Sequence, residues 1–339
     1  MERIEYAAVA LSGDFVPSEM EKIESAGLSS SLLFRSQIDL NKSKMKNYCK
    51  NFPSVVKTIS KYKNFITYND EQYPDALRNI FEPPAVLFFE GELSLLNTQS
   101  ILAVVGSRKA DRYGASIAKE YSRSLSETGI TIVSGLAVGI DAQAHLGALE
   151  GSGSTVGILG TGIDIAYPAT NRQLIRSVME RGCVLSEYLP GTPPLKHNFP
   201  RRNRIIAGVA RAVFVVQATL RSGSLITARL ALENGRDVFA VPGDITRRNS
   251  EGTNWLIKNG AKLVSECKDI VEEFPEIILR ELSEERIDSQ VLEAMGDGSL
   301  TFGELLLRTN LSSKDLVVEL TNLQLGGYVY EENGRWNRT

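Results

Sequence analysis

The chain has 339 residues, 42% of them hydrophobic, a formal net charge of −3, three cysteines and two histidines. That is enough apolar material for a sizeable core and two or three domains, while no stretch approaches the roughly 18 apolar residues that a membrane span requires. Cys49, Cys183 and Cys267 are widely separated and form no CxxC pair, which excludes a disulfide framework and a clustered zinc site and fits a reduced, cytoplasmic protein.

The first hundred residues mix short helical patterns with a lysine-rich stretch from Lys42 to Lys63, and residues 1–65 read as a small helical accessory domain. Pro83-Pro84, the apolar run 85–89 and Glu90-Gly91 then read as a break, a strand and a turn. From Ser100 short apolar runs alternate with amphipathic helices, with strands predicted at 101–105, 130–133, 155–159, 183–186, 212–216 and 237–241. Each run is continuous rather than alternating, as strands covered by helices on both faces require. The expected fold is therefore α/β, an extended Rossmann-like parallel sheet over residues 66–270. The positive charge sits here: residues 101–265 carry 20 basic and 12 acidic side chains, against 7 and 16 in residues 266–339. Glu272-Glu273-Phe274-Pro275 reads as a linker, and 284–339 as a winged-helix-like domain of three helices and a terminal hairpin. Its net charge argues against strong phosphate binding, so it is expected to meet protein or the basic face of a neighbour.

In an open parallel sheet, ligands bind beyond the carboxyl ends of the strands. The predicted exits hold Gly106-Ser107-Arg108, Ser134-Gly135, Gly160-Thr161-Gly162, Asn198-Phe199-Pro200-Arg201-Arg202-Asn203-Arg204, Arg221-Ser222-Gly223-Ser224 and Pro242-Gly243-Asp244. Small residues at a helix start let backbone N–H groups approach an anion, and arginine pairs with phosphate or stacks on a base. Each motif also has a plainer reading: 201–204 as a solvated surface run, Ser222 as a helix cap, Asp141 as a loop-fixing carboxylate, and Trp255 and Trp336 as core or interface anchors. Asp141 and His145 share a helical face, which is weak evidence for acid–base work. No GxGxxG opens the first helix, no GxxxxGK[ST] loop is present, and no Ser-His-Asp order marks a nucleophile elbow.

Gly106-Ser107-Arg108, Ser134-Gly135-Leu136-Ala137-Val138-Gly139-Ile140-Asp141, residues 198–208 and 221–228, Val241-Pro242-Gly243 and Gly252-Thr253-Asn254 resemble the DNA processing protein A (DprA/Smf) family. The resemblance implies a homodimeric protein, without catalysis or cofactor, that binds single-stranded DNA and loads the RecA recombinase in natural transformation. It implies DNA-binding roles for Gly106, Ser107, Arg108, Gly135, Asn198, Arg201, Arg202, Arg204, Arg221, Ser222, Gly223 and Ser224, and an N-terminal domain like a sterile alpha motif. Trp255-Leu256-Ile257 and 261–264 are the expected dimer contact. Two alternatives stand beside it: a Rossmann-like nucleotide phosphoribohydrolase, whose Pro-Gly-Gly-x-Gly-Thr turn is missing here, and a scaffold whose basic face meets an acidic protein.

Overall fold

Strand Ile101–Val105 sends Ile101, Ala103 and Val105 into one core and Leu102 and Val104 into another, which is why its sequence is apolar at every position. In the computed structural model the described residues are 1–33, 40–151, 154–275, 277, 289–296, 298–309, 311–325, 328–332 and 334–338. They divide into two compact units, Met1–Ile277 and Ile278–Thr339.

The first unit is built on a nine-stranded sheet. Its strands are β1 (Phe65–Thr67), β2 (Val86–Gly91), β3 (Ile101–Val105), β4 (Thr131–Ser134), β5 (Thr155–Leu159), β6 (Cys183–Ser186), β7 (Ala212–Val215), β8 (Asp237–Ala240) and β9 (Lys262–Leu263), in the order β1-β2-β6-β5-β4-β3-β7-β8-β9. From β6 to β9 every pairing is parallel, whereas β1 and β2 form an antiparallel edge against β6. All six predicted strands of the parallel part are present, within a residue or so at their ends.

Helices cover both faces. On one, α9 (Asn198–Val209) and α10 (Gly223–Glu233) bury Ile205, Ile206, Val209, Ala228 and Ala231. On the other, α6 (Arg112–Glu127) and α7 (Ile140–Glu150) bury Ala118, Leu125, Ile140, Ala144 and Ala148 around Phe214. Each large buried side chain contributes about 1.5–3 kcal/mol from apolar burial. A third core joins the N-terminal helices α1 (Arg3–Gly13), α2 (Pro17–Ser25) and α4 (Lys42–Ile59) to β1, β2 and β6, through Val9, Met20, Tyr48 and Ile59 against Phe65, Phe88 and Val184. Between α2 and α4 lies the single turn α3 (Ser30–Leu33). The unit also contains α5 (Asp75–Arg78), α8 (Arg172–Arg181), α11 (Glu251–Lys258) and α12 (Lys268–Val271).

The second unit is winged-helix-like. Helices α13 (Gln290–Met295), α14 (Phe302–Thr309) and α15 (Ser313–Leu325) pack around Leu292, Leu305, Leu316 and Leu320. Strands β10 (Leu300–Thr301), β11 (Val329–Glu332) and β12 (Arg335–Arg338) form an antiparallel sheet in the order β10-β12-β11. Among the described residues no helix is long and apolar enough to cross a membrane.

Candidate nucleic-acid interface

β3 pairs with β4 on one side and with β7 on the other, so the loops leaving β3 and β7 part company at the middle of the sheet and open a crevice there. The cleft has a volume of about 840 Å³. One wall is the exit of β3. The Ser107 amide donates to the Gln217 carbonyl (2.7 Å), and the Ser107 hydroxyl accepts from the Lys109 amide (3.1 Å), which folds the loop back and leaves Arg108 and Lys109 exposed. Gln217 Nε2 donates to Asp111 Oδ1 (2.9 Å), the N-cap of α6, and so ties the β7 exit to the β3 exit.

The floor is the exit of β4. Arg202 is buried and donates Nη1 to the Gly135 carbonyl (2.9 Å). A Cβ on residue 135 would lie 2.6 Å from Arg202 Nη2 and 2.7 Å from Asp141 Oδ2, so a glycine is needed for guanidinium and carboxylate to close over the loop. Gly139, at φ +83°, turns the chain into α7 where a Cβ would strike the Ser107 carbonyl at 2.3 Å. The Asp141 carboxylate accepts from the backbone of Ala137 and Gly135. Burial raises its pKa, opposed by the Arg202 charge and those hydrogen bonds. Burial likewise pushes the Arg202 guanidinium down to about 10, opposed by Asp141, so it stays charged at neutral pH.

The opposite wall is the start of α10. The Ser222 hydroxyl caps the helix by accepting from the Ser224 amide (3.4 Å), and Gly223 and Ser224 present a helix N-terminus, with its positive potential, to the cleft. Above the floor the rings of Tyr167 and Phe199 are 5.4 Å apart, and the Arg108 guanidinium stands 5.3 Å over the Phe199 ring. The charge balance decides what the cleft can hold. Arg108, Lys109, Lys196, Arg202 and Arg248 line it against a single carboxylate, Asp141. Cations, helix-start amides and an accessible aromatic face suit a phosphate chain with unstacked bases.

Of the residues singled out in the sequence, Gly106, Ser107, Arg108, Arg202, Ser222, Gly223 and Ser224 line this cleft, and Gly135 lies beneath Arg202. Asn198, Arg201, Arg204 and Arg221 are placed elsewhere. Asn198 is buried and donates Nδ2 to the Gly160 carbonyl (3.1 Å). Arg201 forms a two-pronged pair with Asp14 (2.8 and 3.0 Å), while both Nη atoms of Arg204 are taken by Glu187 and its Nε by the Glu82 carbonyl (2.8 Å). Burial works against the Arg201 charge, but Asp14 and Glu187 outweigh it and hold its pKa above the usual arginine value. Arg221 is exposed on the turn before α10. Lys109, Lys196 and Arg248 were missed. They lie on the exits of β3, β6 and β8, where the same rule about strand ends reaches them.

Fold and site together define an extended Rossmann-like α/β protein with a cation-lined cleft at the point where its strand order reverses. Residues 64–275 match the family described as DNA recombination-mediator protein A, and the chain belongs to that family. It is 46% identical over 218 residues to the DNA processing protein DprA of Streptococcus pneumoniae, covering 64% of this chain and 76% of that one. It is 40% identical over 290 residues to the protein Smf of Escherichia coli, covering 81% and 77% respectively. Among solved structures, S. pneumoniae DprA superposes with a TM-score of 0.68 at 37% identity, covering 80% of this chain and 95% of that one. DprA of Helicobacter pylori, whose structure concerns its single-stranded DNA binding mode, gives a TM-score of 0.58 at 30% identity over 64% of this chain and 98% of its own. The chain is thus a member of a family of DNA-processing recombination mediators.

Proposed function

We propose that this chain binds single-stranded DNA in the cleft between the β3 and β7 exits and does no covalent chemistry on it. The observation that carries the reading is the lining: five cations against one carboxylate, beside an aromatic pair on which a base can stack. Asp141 is buried and committed to backbone amides, with the Arg202 charge acting on it, and His145 is sealed in the core, so neither is placed to move a proton for a bound substrate. A duplex keeps its bases stacked inside and offers the exposed Tyr167 ring nothing, so single strands are preferred. Handing the strand to the RecA recombinase during DNA uptake, in the cytoplasm, is the role in which such binding serves transformation.

Fluorescence anisotropy of a labelled oligothymidylate against the matching duplex, over a salt series, tests this. The single strand binds more tightly, and Arg108→Ala lowers its affinity about tenfold and reduces the slope of log K against log salt by about 0.7. If neither nucleic acid binds at moderate salt, the reading fails, and release of free base from AMP becomes the assay to run.

The same reading includes a homodimer, which puts two clefts on one strand and raises avidity. Leu232 and Trp255, 57% and 49% exposed, border a hollow beside the edge strand β9, where Leu263 is also exposed. Ile257 packs partly against the core, so Trp255→Glu is the cleaner probe. Its mass in solution should fall to that of a monomer; an unchanged dimer places the contact elsewhere.

A further inference from the structure

The lysine-rich segment that follows residue 40 is not absorbed by the cleft. Between Asp39 and Asp70 the sequence has seven lysines and no acidic residue. On α4, at about 100° per residue, Lys42, Lys46, Lys50 and Lys57 fall within an arc of about 80°, and the stripe runs about 22 Å along the helix. All four are exposed, as are Lys61 and Lys63 just beyond the helix, while Tyr48, Val55 and Ile59 on the opposite side are buried in the third core. Lys44 points away from the stripe and is paired with Glu19 (2.6 Å). Among the described residues no carboxylate lies within ion-pair distance of Lys42, Lys46, Lys50, Lys57, Lys61 or Lys63. Uncompensated like charges at i, i+4 spacing cost the isolated helix stability. That row is therefore unfavourable until a polyanion meets it.

At two points the helical segment contacts elements that also carry cleft residues. Tyr62, past the end of α4, hydrogen-bonds Asp164, in the loop that carries Tyr167. Asp14, at the end of α1, holds Arg201, which lies between the cleft-lining residues Pro200 and Arg202. We infer that the exposed lysine stripe of α4 is a second, sequence-independent track for the nucleic-acid backbone, holding the strand that leaves the cleft. This rests on the reading of the cleft as a single-stranded DNA site. A phosphate chain suits the stripe better than a membrane surface does. A helix lying in a lipid interface needs large apolar side chains beside its cations, and here the exposed neighbours are Ser43, Asn47, Cys49, Pro53 and Ser54, none of them a large apolar side chain.

The test compares a cleft-length oligothymidylate of about 6 nucleotides with one of about 30, for wild type and the quadruple variant Lys42→Gln, Lys46→Gln, Lys50→Gln, Lys57→Gln. These positions are exposed and outside the cores, and circular dichroism verifies the fold. The short oligomer should bind both proteins equally. The long one should bind the variant at least about tenfold more weakly at 0.1 M salt, with a salt slope smaller by about 3. Equal affinity of both proteins for the long oligomer overturns the track. So does binding of the wild type, lost in the variant, to phosphatidylglycerol vesicles with no change on long DNA, which would make the stripe a lipid contact. Failure of the wild type to bind the short oligomer, with Arg108→Ala leaving long-oligomer affinity unchanged, would instead sink the cleft and leave the stripe as the DNA site.

Discussion

Glu187→Ala should lower the unfolding free energy of the first unit by about 3–5 kcal/mol, a fall in midpoint temperature of about 10 °C. Glu187 leaves β6 directly and receives both Nη atoms of Arg204, with the two side chains 10% and 7% exposed. Arg201 lies 3.7 Å from the same carboxylate. Removing it strands a buried guanidinium without counter-charge, and that penalty exceeds what the intact pair contributes. The double variant Glu187→Leu, Arg204→Met should therefore be more stable than Glu187→Ala alone, because apolar groups of similar volume replace the whole pair. Urea unfolding measures both, since guanidinium salts screen the charges in question. A loss under about 1 kcal/mol for Glu187→Ala would show that the pair does not hold α9 to the sheet. Folded Glu187→Ala protein should keep the wild-type salt slope for oligothymidylate, because the cleft cations are untouched.

That pair also shows where sequence reasoning stops. Arg201, Arg202 and Arg204 are nearly adjacent in the chain and look like one cluster, but they occupy the first turns of α9, where successive side chains diverge by about 100°. One meets Asp14, one faces the cleft and one meets Glu187. The deciding partners are distant in sequence, 187 residues away in the case of Asp14, and no local pattern reveals them. The parallel strands were legible because burial on both faces imposes continuous apolar runs, and the cleft because strand exits with glycine and serine lie at the switch point. β1 and β9 were not legible. They have three and two residues, too few for any periodicity to register.

His145 yields the second large effect, an acid destabilisation of the first unit. Its ring on α7 is inaccessible, and Nδ1 is 2.7 Å from Thr155 Oγ1. The Thr155 hydroxyl donates to the Ile132 carbonyl (2.8 Å), so it accepts from the imidazole, which fixes the neutral tautomer with its proton on Nδ1. Burial lowers the His145 pKa to about 3, and the Arg202 charge acts in the same direction. In the unfolded chain the group titrates near its ordinary value of about 6.5. Between those two values the unfolded chain binds a proton that the folded chain refuses. The stabilisation is therefore complete above about pH 6.5 and is lost as pH falls, by about 1.4 kcal/mol per pH unit. Asp141, whose raised pKa has the opposite sign, gains stability on acidification, while the carboxyls with lowered pKa values, such as Asp111, lose theirs near and below the ordinary carboxylate range. The window from pH 6.5 to 5 lies above the ordinary carboxylate range, and comparison with a variant that lacks the imidazole separates the histidine from Asp141, which both proteins keep. His145→Gln keeps a donor for Thr155 and cannot titrate, so across that window the wild type should lose about 2 kcal/mol of stability relative to the variant. Parallel slopes for the two proteins would mean that His145 is protonated inside the fold. Asp141 precedes His145 by one turn of α7, so the helix that weakens in acid is the one that seats the carboxylate in the cleft floor. Single-stranded DNA affinity should therefore decline over the same pH range, and decline less in His145→Gln.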